Sequence, residues 1–307
     1  MADIESTELK NWKQRLNVSH RRHDELKLKN DTYKKYYRGE QWLDTVRAAR
    51  YIDHVVDNVI FSNIRIIAPS LSFRNPKIFV TPKQREHFLK GSVRLDTAGS
   101  AQSMEMLLNY YFKELDIKRE TRKCLYDALL THWAIIDIGY TMKTEKIKSK
   151  DELLIVDELI RSESVFAKRR SPDDFRVDIE GTDLLLNDRR WIALKWIKEL
   201  EDVKADPKYK NTKDLKPNFR VNTTFGASAP VMTEYKTTGE PDLWDRVVGW
   251  TIWDKKTRMR YEVVDTHNKF LLKESWPKWT DAIEGFPVEV LYMNENPDEP
   301  FPLPDIE

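Results

Sequence analysis

Cysteine is almost missing from this chain: Cys124 is the one example in 307 residues. No internal disulfide is available, which suits a reducing compartment. The neighbours Thr121-Arg122-Lys123 and Leu125-Tyr126 read as helix, so a packed thiol is preferred there to a nucleophile. Glycine is also scarce, with nine residues, and none falls into GxxxxGK[ST] or GxGxxG. The usual phosphate cradles are missing, which argues against a motor ATPase. No apolar run approaches the roughly 18 residues that span a bilayer, and the opening MADIESTELK has no apolar segment of the signal-peptide kind. An excess of one charge is lacking too. Lys and Arg number 52 against 51 Asp and Glu, for a net charge of +1. A dedicated nucleic-acid binder usually carries a strong basic excess.

The charge that is present is unevenly placed. Residues 8–50 lean basic through Lys10, Lys13, Arg15, Arg21, Arg22, Lys34, Lys35 and Arg38, whereas 281–307 contains no Lys or Arg. The two ends could meet each other, meet neighbouring subunits, or form two solvated faces. Composition, 40% hydrophobic and 34% charged, is enough for one large domain or two modest ones with a real core. Ten tryptophans suit extended interfaces as well as cores.

The most informative stretch is 243–304. Two strand-like runs flank Asp254-Lys255-Lys256-Thr257. Side chains alternate along a strand, so pairing Ile252 with Met259, Trp250 with Tyr261 and Val248 with Val263 puts all six on one face. Trp250, Ile252, Tyr261 and Val263 are the expected anchors of that buried face. Trp253 with Arg258 and Thr251 with Arg260 would make the other face, a wetter one. A loop of two or four residues gives the same partition. Phe270-Leu271-Leu272 and Val288–Met293 are expected to extend the same antiparallel sheet. Pro297, Pro300, Pro302 and Pro304 then forbid helix or ladder.

Earlier in the chain the texture is helical. Ser6-Thr7-Glu8 can open a helix with apolar positions Leu9, Trp12, Leu16, Leu26, Tyr33, Tyr36 and Tyr37, stopped by Gly39. Trp42 follows as an aromatic plug. A second helix is expected over Asp53–Ser72, then a short strand between Pro76 and Pro82. Helices over Asp96–Leu115 and Ile117–Trp133 follow, the first with Met104, Leu107, Leu108 and Tyr111, the second with Leu125, Ala128 and Leu129. Ala134–Met142 alternates as a strand, and short runs at Leu153–Val156, Ser164–Ala167, Phe175–Val177 and Arg190–Trp196 continue the β-rich half. Glu199–Ala205 reads as a helical turn, and 206–242 as a loop poor in aliphatic residues. The expected fold class is α+β: a helical portion over 1–133, and a β-rich portion over 134–307 built on a small antiparallel sheet, with a flexible loop at about 206–242.

The order of motifs resembles portal proteins of tailed bacteriophages. An aromatic strand runs into Ile252-Trp253-Asp254-Lys255, a basic turn and a Tyr261 strand. Gly285-Phe286-Pro287, an apolar strand, Asn294-x-x-Pro297-Asp298 and Phe301-Pro302-Leu303-Pro304-Asp305-Ile306 follow. Upstream, Tyr37-x-Gly39-x-Gln41-Trp42, the helix-Asn75-Pro76-strand-Pro82 order and Pro172-x-Asp174-Phe175-Arg176 are similar to portal elements. The resemblance implies a wing-like portion of a structural protein without catalytic residues or cofactors. It implies a self-assembled ring, usually a dodecamer, at one capsid vertex of the virion, built in the host cytoplasm. The ring would pass double-stranded DNA during packaging and ejection, and would dock terminase, head–tail connector proteins and the major capsid protein. Family members continue from this point into a long stem helix, whereas this chain stops at Glu307. Residues 1–307 alone are therefore expected to associate only weakly in dilute solution.

Other chemistry weighs less. His20-x-x-His23 has helical spacing for two zinc ligands, but no nearby set completes a site, and two exposed histidines are preferred. Asp242, Asp254 and Lys256 imitate a metal-dependent nuclease, yet Asp254-Lys255-Lys256 is expected at a solvent-exposed hairpin tip. Asp173, Asp174, Asp178 and Asp183 lack the glycine and terminal glutamate of a calcium loop. A virion adaptor or scaffold unrelated to portals is a further alternative.

Overall fold

The computed structural model describes residues 2–40, 57–72, 76–82, 97–146, 158–221, 232–234, 245–296 and 299–305. The fold is α+β, with helices mostly N-terminal and two antiparallel sheets mostly C-terminal. Helices α1 (Ala2–Tyr37), α2 (Val59–Ser72), α3 (Thr97–Glu114) and α4 (Ile117–Leu130) precede β1 (Ala134–Lys146). Then come β2 (Glu158–Arg170), β3 (Phe175–Val177), β4 (Trp191–Glu199), α5 (Leu200–Ala205), β5 (Phe219–Val221) and β6 (Met232–Glu234). The hairpin strands β7 (Arg246–Asp254) and β8 (Met259–Val263), β9 (Leu272–Ser275) and β10 (Val288–Leu291) complete the set.

Strand β7 is the centre of the larger sheet. It pairs with β4 along its whole length, from Trp191 opposite Asp254 to Glu199 opposite Arg246. Its other edge takes β8 at one end and β5 at the other. The hairpin closes at Asp254 opposite Met259, so Lys255–Arg258 form a four-residue loop, with Arg258 at φ 54°. Trp250 faces Val263 and Ile252 faces Tyr261, a register two residues away from the expected pairing. A two-residue shift leaves every side chain on its own face. Val248 consequently lies beyond β8 and pairs with Ile197.

Both faces of this sheet are covered, which corrects the expectation of a wet side. On one face Trp250, Ile252, Tyr261 and Val263 pack with Trp191, Ala193 and Phe270 against Leu9, Trp12 and Leu16 of α1. On the other, Trp253 joins Ile192, Leu194, Trp133, Ile135, Trp276, Phe286, Val288 and Phe301. The arginines there do not hold the surface open. Arg260 lies 5.4 Å over the Trp253 ring and Arg258 4.5 Å over Trp276, each guanidinium lidding an indole. Gly249 faces Trp196 across the ladder, and a Cβ there would come within 2.3 Å of that ring.

The fourth apolar run is placed differently from expectation. Strand β10 pairs with β1, whose other neighbour is β2, and so belongs to a separate three-stranded sheet. β9, starting at Leu272, does extend the hairpin.

Helix α1 ends as the sequence suggests. Gly39 at φ 80° lets its own N–H reach Tyr36 O (2.9 Å) and the Glu40 N–H reach Lys35 O (2.9 Å), a paired C-terminal cap. Helix α2 begins later than Asp53. Asn58 accepts from the Phe61 N–H at 2.9 Å and so caps it, while donating to Tyr37 O at 2.9 Å. Residues 76–82 form no ladder among the described residues, because their partner is a side chain. Asn109 of α3 accepts from the Ile78 N–H (3.1 Å) and donates to its C=O (2.8 Å). Within the expected loop at 206–242, Tyr209, Leu215 and Phe219 are buried and Phe219–Val221 forms β5. Trp42 and Leu153–Val156 lie outside the described residues.

Trp250 fills the space between sheet and α1, with the His20 ring 4.8 Å away and Arg176 5.1 Å over its face. Trp250→Ala is expected to lower unfolding free energy by about 3–5 kcal/mol, read from urea denaturation followed by far-UV dichroism. A loss below about 1 kcal/mol would contradict this packing.

Candidate assembly surface

Among the described residues that offered chemistry in the sequence, Asp254, Asp178, Asp183 and His20 are bonded within the fold. Asp254 is 1% exposed, not at an open tip. Its Oδ1 accepts from the Lys256 N–H (3.1 Å), its Oδ2 from the Thr257 hydroxyl (2.9 Å), and Arg190 stands 3.5 Å away. The carboxylate ties the hairpin loop, an Asx-type arrangement, while Lys256 points outward. Asp242 lies outside the described residues. In the acidic run, Asp183 accepts from the Leu185 and Asn187 amides (2.8 and 3.2 Å) and Asp178 from Glu180 (3.3 Å). Asp173 lies 3.7 Å from Lys34. Among the described residues no group of three or more His, Cys, Asp or Glu is placed to hold a metal. No described helix is long and apolar enough to cross a membrane.

His20 and His23 are not surface residues. They lie on or beside the seam that α1 presents to the sheet. The His20 Nδ1 accepts from Arg176 Nε at 2.8 Å, and burial together with the Arg176 and Lys195 charges lowers its pKa to about 4. His23 is buried with its edge toward Phe301 at 5.1 Å, and its Nε2 has no hydrogen-bond partner. Burial first, then Arg176, His20, His132 and Arg189, holds it well below the ordinary histidine range. Cys124 is fully buried and its thiol is pushed up to about 12 by burial and the Asp127 charge, as suits a packed side chain.

Beside the start of α1 lies a cleft of about 540 Å³ lined by Trp12, Arg15, Arg190, Thr257 and Tyr261. Its two carboxylates are already engaged. Glu8 accepts from Tyr261 at 3.0 Å and from Lys273 at 2.5 Å, and Asp254 is bound as above.

The unengaged surface is apolar and elsewhere. Of the sixteen exposed large apolar side chains among the described residues, eleven fall between Val59 and Tyr111. Six are on α3: Met104, Met106, Leu107, Leu108, Tyr110 and Tyr111. Four of these were the expected inward positions of that helix, and the structure exposes all four. Phe79, 71% exposed, adds to them from the segment clamped to α3 by Asn109. The inward positions of α3 are Ala101, Glu105, Asn109 and Phe112, and only Ala101 is buried. The signal was present in the sequence. TAGSAQSMEMLLNYYFKE has three charged residues in eighteen, and Glu105 and Asn109 share the side of Ala101 while the methionines, leucines and tyrosines occupy the remainder, which a one-sided apolar stripe facing the core does not explain.

Comparison with protein-family models and with curated proteins finds no match to this chain.

The histidine seam sets a pH dependence. A histidine whose folded pKa lies below its unfolded value of about 6.5 leaves the unfolded chain binding more protons. Stability is therefore fully present above about pH 6.5 and falls as pH drops toward 4, where His20 titrates in the folded protein. Protonation also removes the lone pair that Arg176 uses. Thermal midpoints measured from pH 7.5 to 4.5 should fall, and fall less in His20→Gln. A midpoint flat across that range would contradict this account.

Proposed function

We propose that this chain is a subunit of a portal-type ring at one vertex of a tailed-phage capsid. Its role is structural. It surrounds the passage for double-stranded DNA and offers a docking platform to terminase, connector proteins and the major capsid protein. The observation that carries the structural reading is the engagement of the chemistry-bearing side chains in their own fold. Asp254 ties a loop, His20 accepts from a buried arginine, and the acidic run caps backbone amides. Support for the portal type comes from the ordered motifs over 37–42, 75–82, 172–176 and 252–306, set on a helical first half and a sheet-built second half.

Two measurements test it. Imaging of the intact particle is expected to find the chain in a closed ring around one axial channel. Finding it tiling the capsid shell or building tail fibres overturns the reading. Incubated with plasmid DNA and magnesium or manganese, the purified chain is expected to leave the DNA intact. Cleavage that disappears in Lys256→Ala would establish the nuclease alternative instead.

A further inference from the structure

Helix α3 turns Ala101, Glu105 and Asn109 inward and leaves its large apolar side chains outward, and an apolar surface of that extent in water needs a cover. Among the described residues little covers it: Met106 is 66% exposed and Tyr110 58%. We propose that α3, with the extended segment 76–82, is the surface on which a second copy of this chain docks. The proposal rests on the ring reading above and assigns the surface that would carry it.

Area comes first. The six side chains of α3 and Phe79, each about half exposed and ~200 Å² when whole, present on the order of 700 Å² of apolar surface. A monomer rarely leaves more than a few hundred Å² contiguous, while one side of a standard specific interface is about 800 Å². The patch has the size of a complete half-interface.

Composition selects the occupant. Surfaces that meet a different protein transiently are about as polar as the remaining surface, whereas contacts between identical subunits are more apolar. The three charges of α3 are Glu105, Lys113 and Glu114. Glu105 is already engaged, accepting from the Val80 N–H at 3.3 Å. Methionine and tyrosine supply adaptable, large contact surface at low ordering cost.

Preorganisation is the third argument. Asn109 grips both the N–H and the C=O of Ile78, as a neighbouring strand would, and also donates to Glu105 O at 2.8 Å. Segment and helix are held together by these bonds before any partner arrives, which lowers the entropic cost of docking.

The test uses assembled particles carrying Leu107→Cys labelled with a benzophenone maleimide. Cys124, buried with its thiol pushed up to about 12, stays unlabelled. Particles assembled from mixed isotope-light and isotope-heavy chains distinguish a second copy from the same one. Photocrosslinks joining light to heavy chains are expected. Crosslinks only to a different protein, or only within one chain, overturn the proposal. A second variant, Met106→Glu with Tyr110→Lys, is first checked for an unchanged thermal midpoint. It is expected to weaken self-association at least tenfold in sedimentation, and unchanged association overturns the proposal. The two readings fail separately. A ring whose α3 crosslinks to another protein keeps the portal reading and removes this surface. Crosslinked copies in an open filament keep the surface and remove the ring.

Discussion

Positions Leu9, Trp12, Leu16, Ser19, His23, Leu26, Asn30, Tyr33 and Tyr37 of α1 are buried or half-buried and recur at alternating steps of three and four residues. That spacing keeps one stripe facing a single surface, here along most of a helix about 54 Å long. The central sheet depends on this stripe. Leu9, Trp12 and Leu16 close the face of β7 that carries Trp250 and Ile252. Ser19 donates to Val177 O at 2.8 Å and so fixes α1 against β3. Asn30 meets His132 Nδ1 at 2.8 Å, just before β1, and Tyr37 packs near Ile64 and Leu129. One helix from the start of the chain thus reaches both sheets and two later helices. The apolar half of the stripe supplies burial and the polar half supplies position. Ser19 and Asn30 do so through hydrogen bonds, whereas His23 packs by its ring against Trp133 and Phe301.

The far end of the chain is fastened to the same body. Arg189 is fully buried and donates to Asp178 O and to Pro300 O at 2.7 Å, while Phe301 packs between His23 and Trp133. Arg22 of α1 stands 3.8 Å from Glu299, so the basic start and acidic end do meet. That exposed pair contributes little by itself. The buried arginine and the aromatic contacts hold the end, and the surface charges are arranged around them.

Legibility followed periodicity. The alternation around residues 250–263 gave the correct faces because a strand's side-chain period is two, so even a register displaced by two residues preserved them. Loop length stayed open between two residues and the four observed, because Lys255–Arg258 closes through the Asp254 carboxylate and a left-handed Arg258, neither of which the residue types announce. Leu9, Trp12 and Leu16 were readable on α1. Ser19, His23 and Asn30 were not, since a polar residue reveals burial only through a partner distant in sequence. The covered second face of the sheet was hidden for a related reason. Arg258 and Arg260 look like solvent-facing charges until the indoles beneath them are placed. Residues 76–82 have strand composition, yet no sequence pattern shows that a side chain, Asn109, would stand in for the neighbouring strand.

Helix α3 isolates what sets an element's position from what its side chains are available for. Most of a helix's stability in a protein comes from tertiary packing, and burial of Ala101 adds little of it here. Its placement comes from polar bonds, Asn109 to Ile78 and Glu105 to Val80, and from contact with α4. The neighbouring α4 is itself pinned by the Arg169–Asp127 pair and by Glu120 accepting from the Arg169 amide. Because hydrogen bonds fix the helix, its methionines, leucines and tyrosines are not needed to locate it. An apolar side chain freed from that duty still favours leaving water at ~25 cal/mol per Å². The physical consequence is a helix held rigidly by its polar residues while its apolar ones face outward, the combination that an interface between subunits requires.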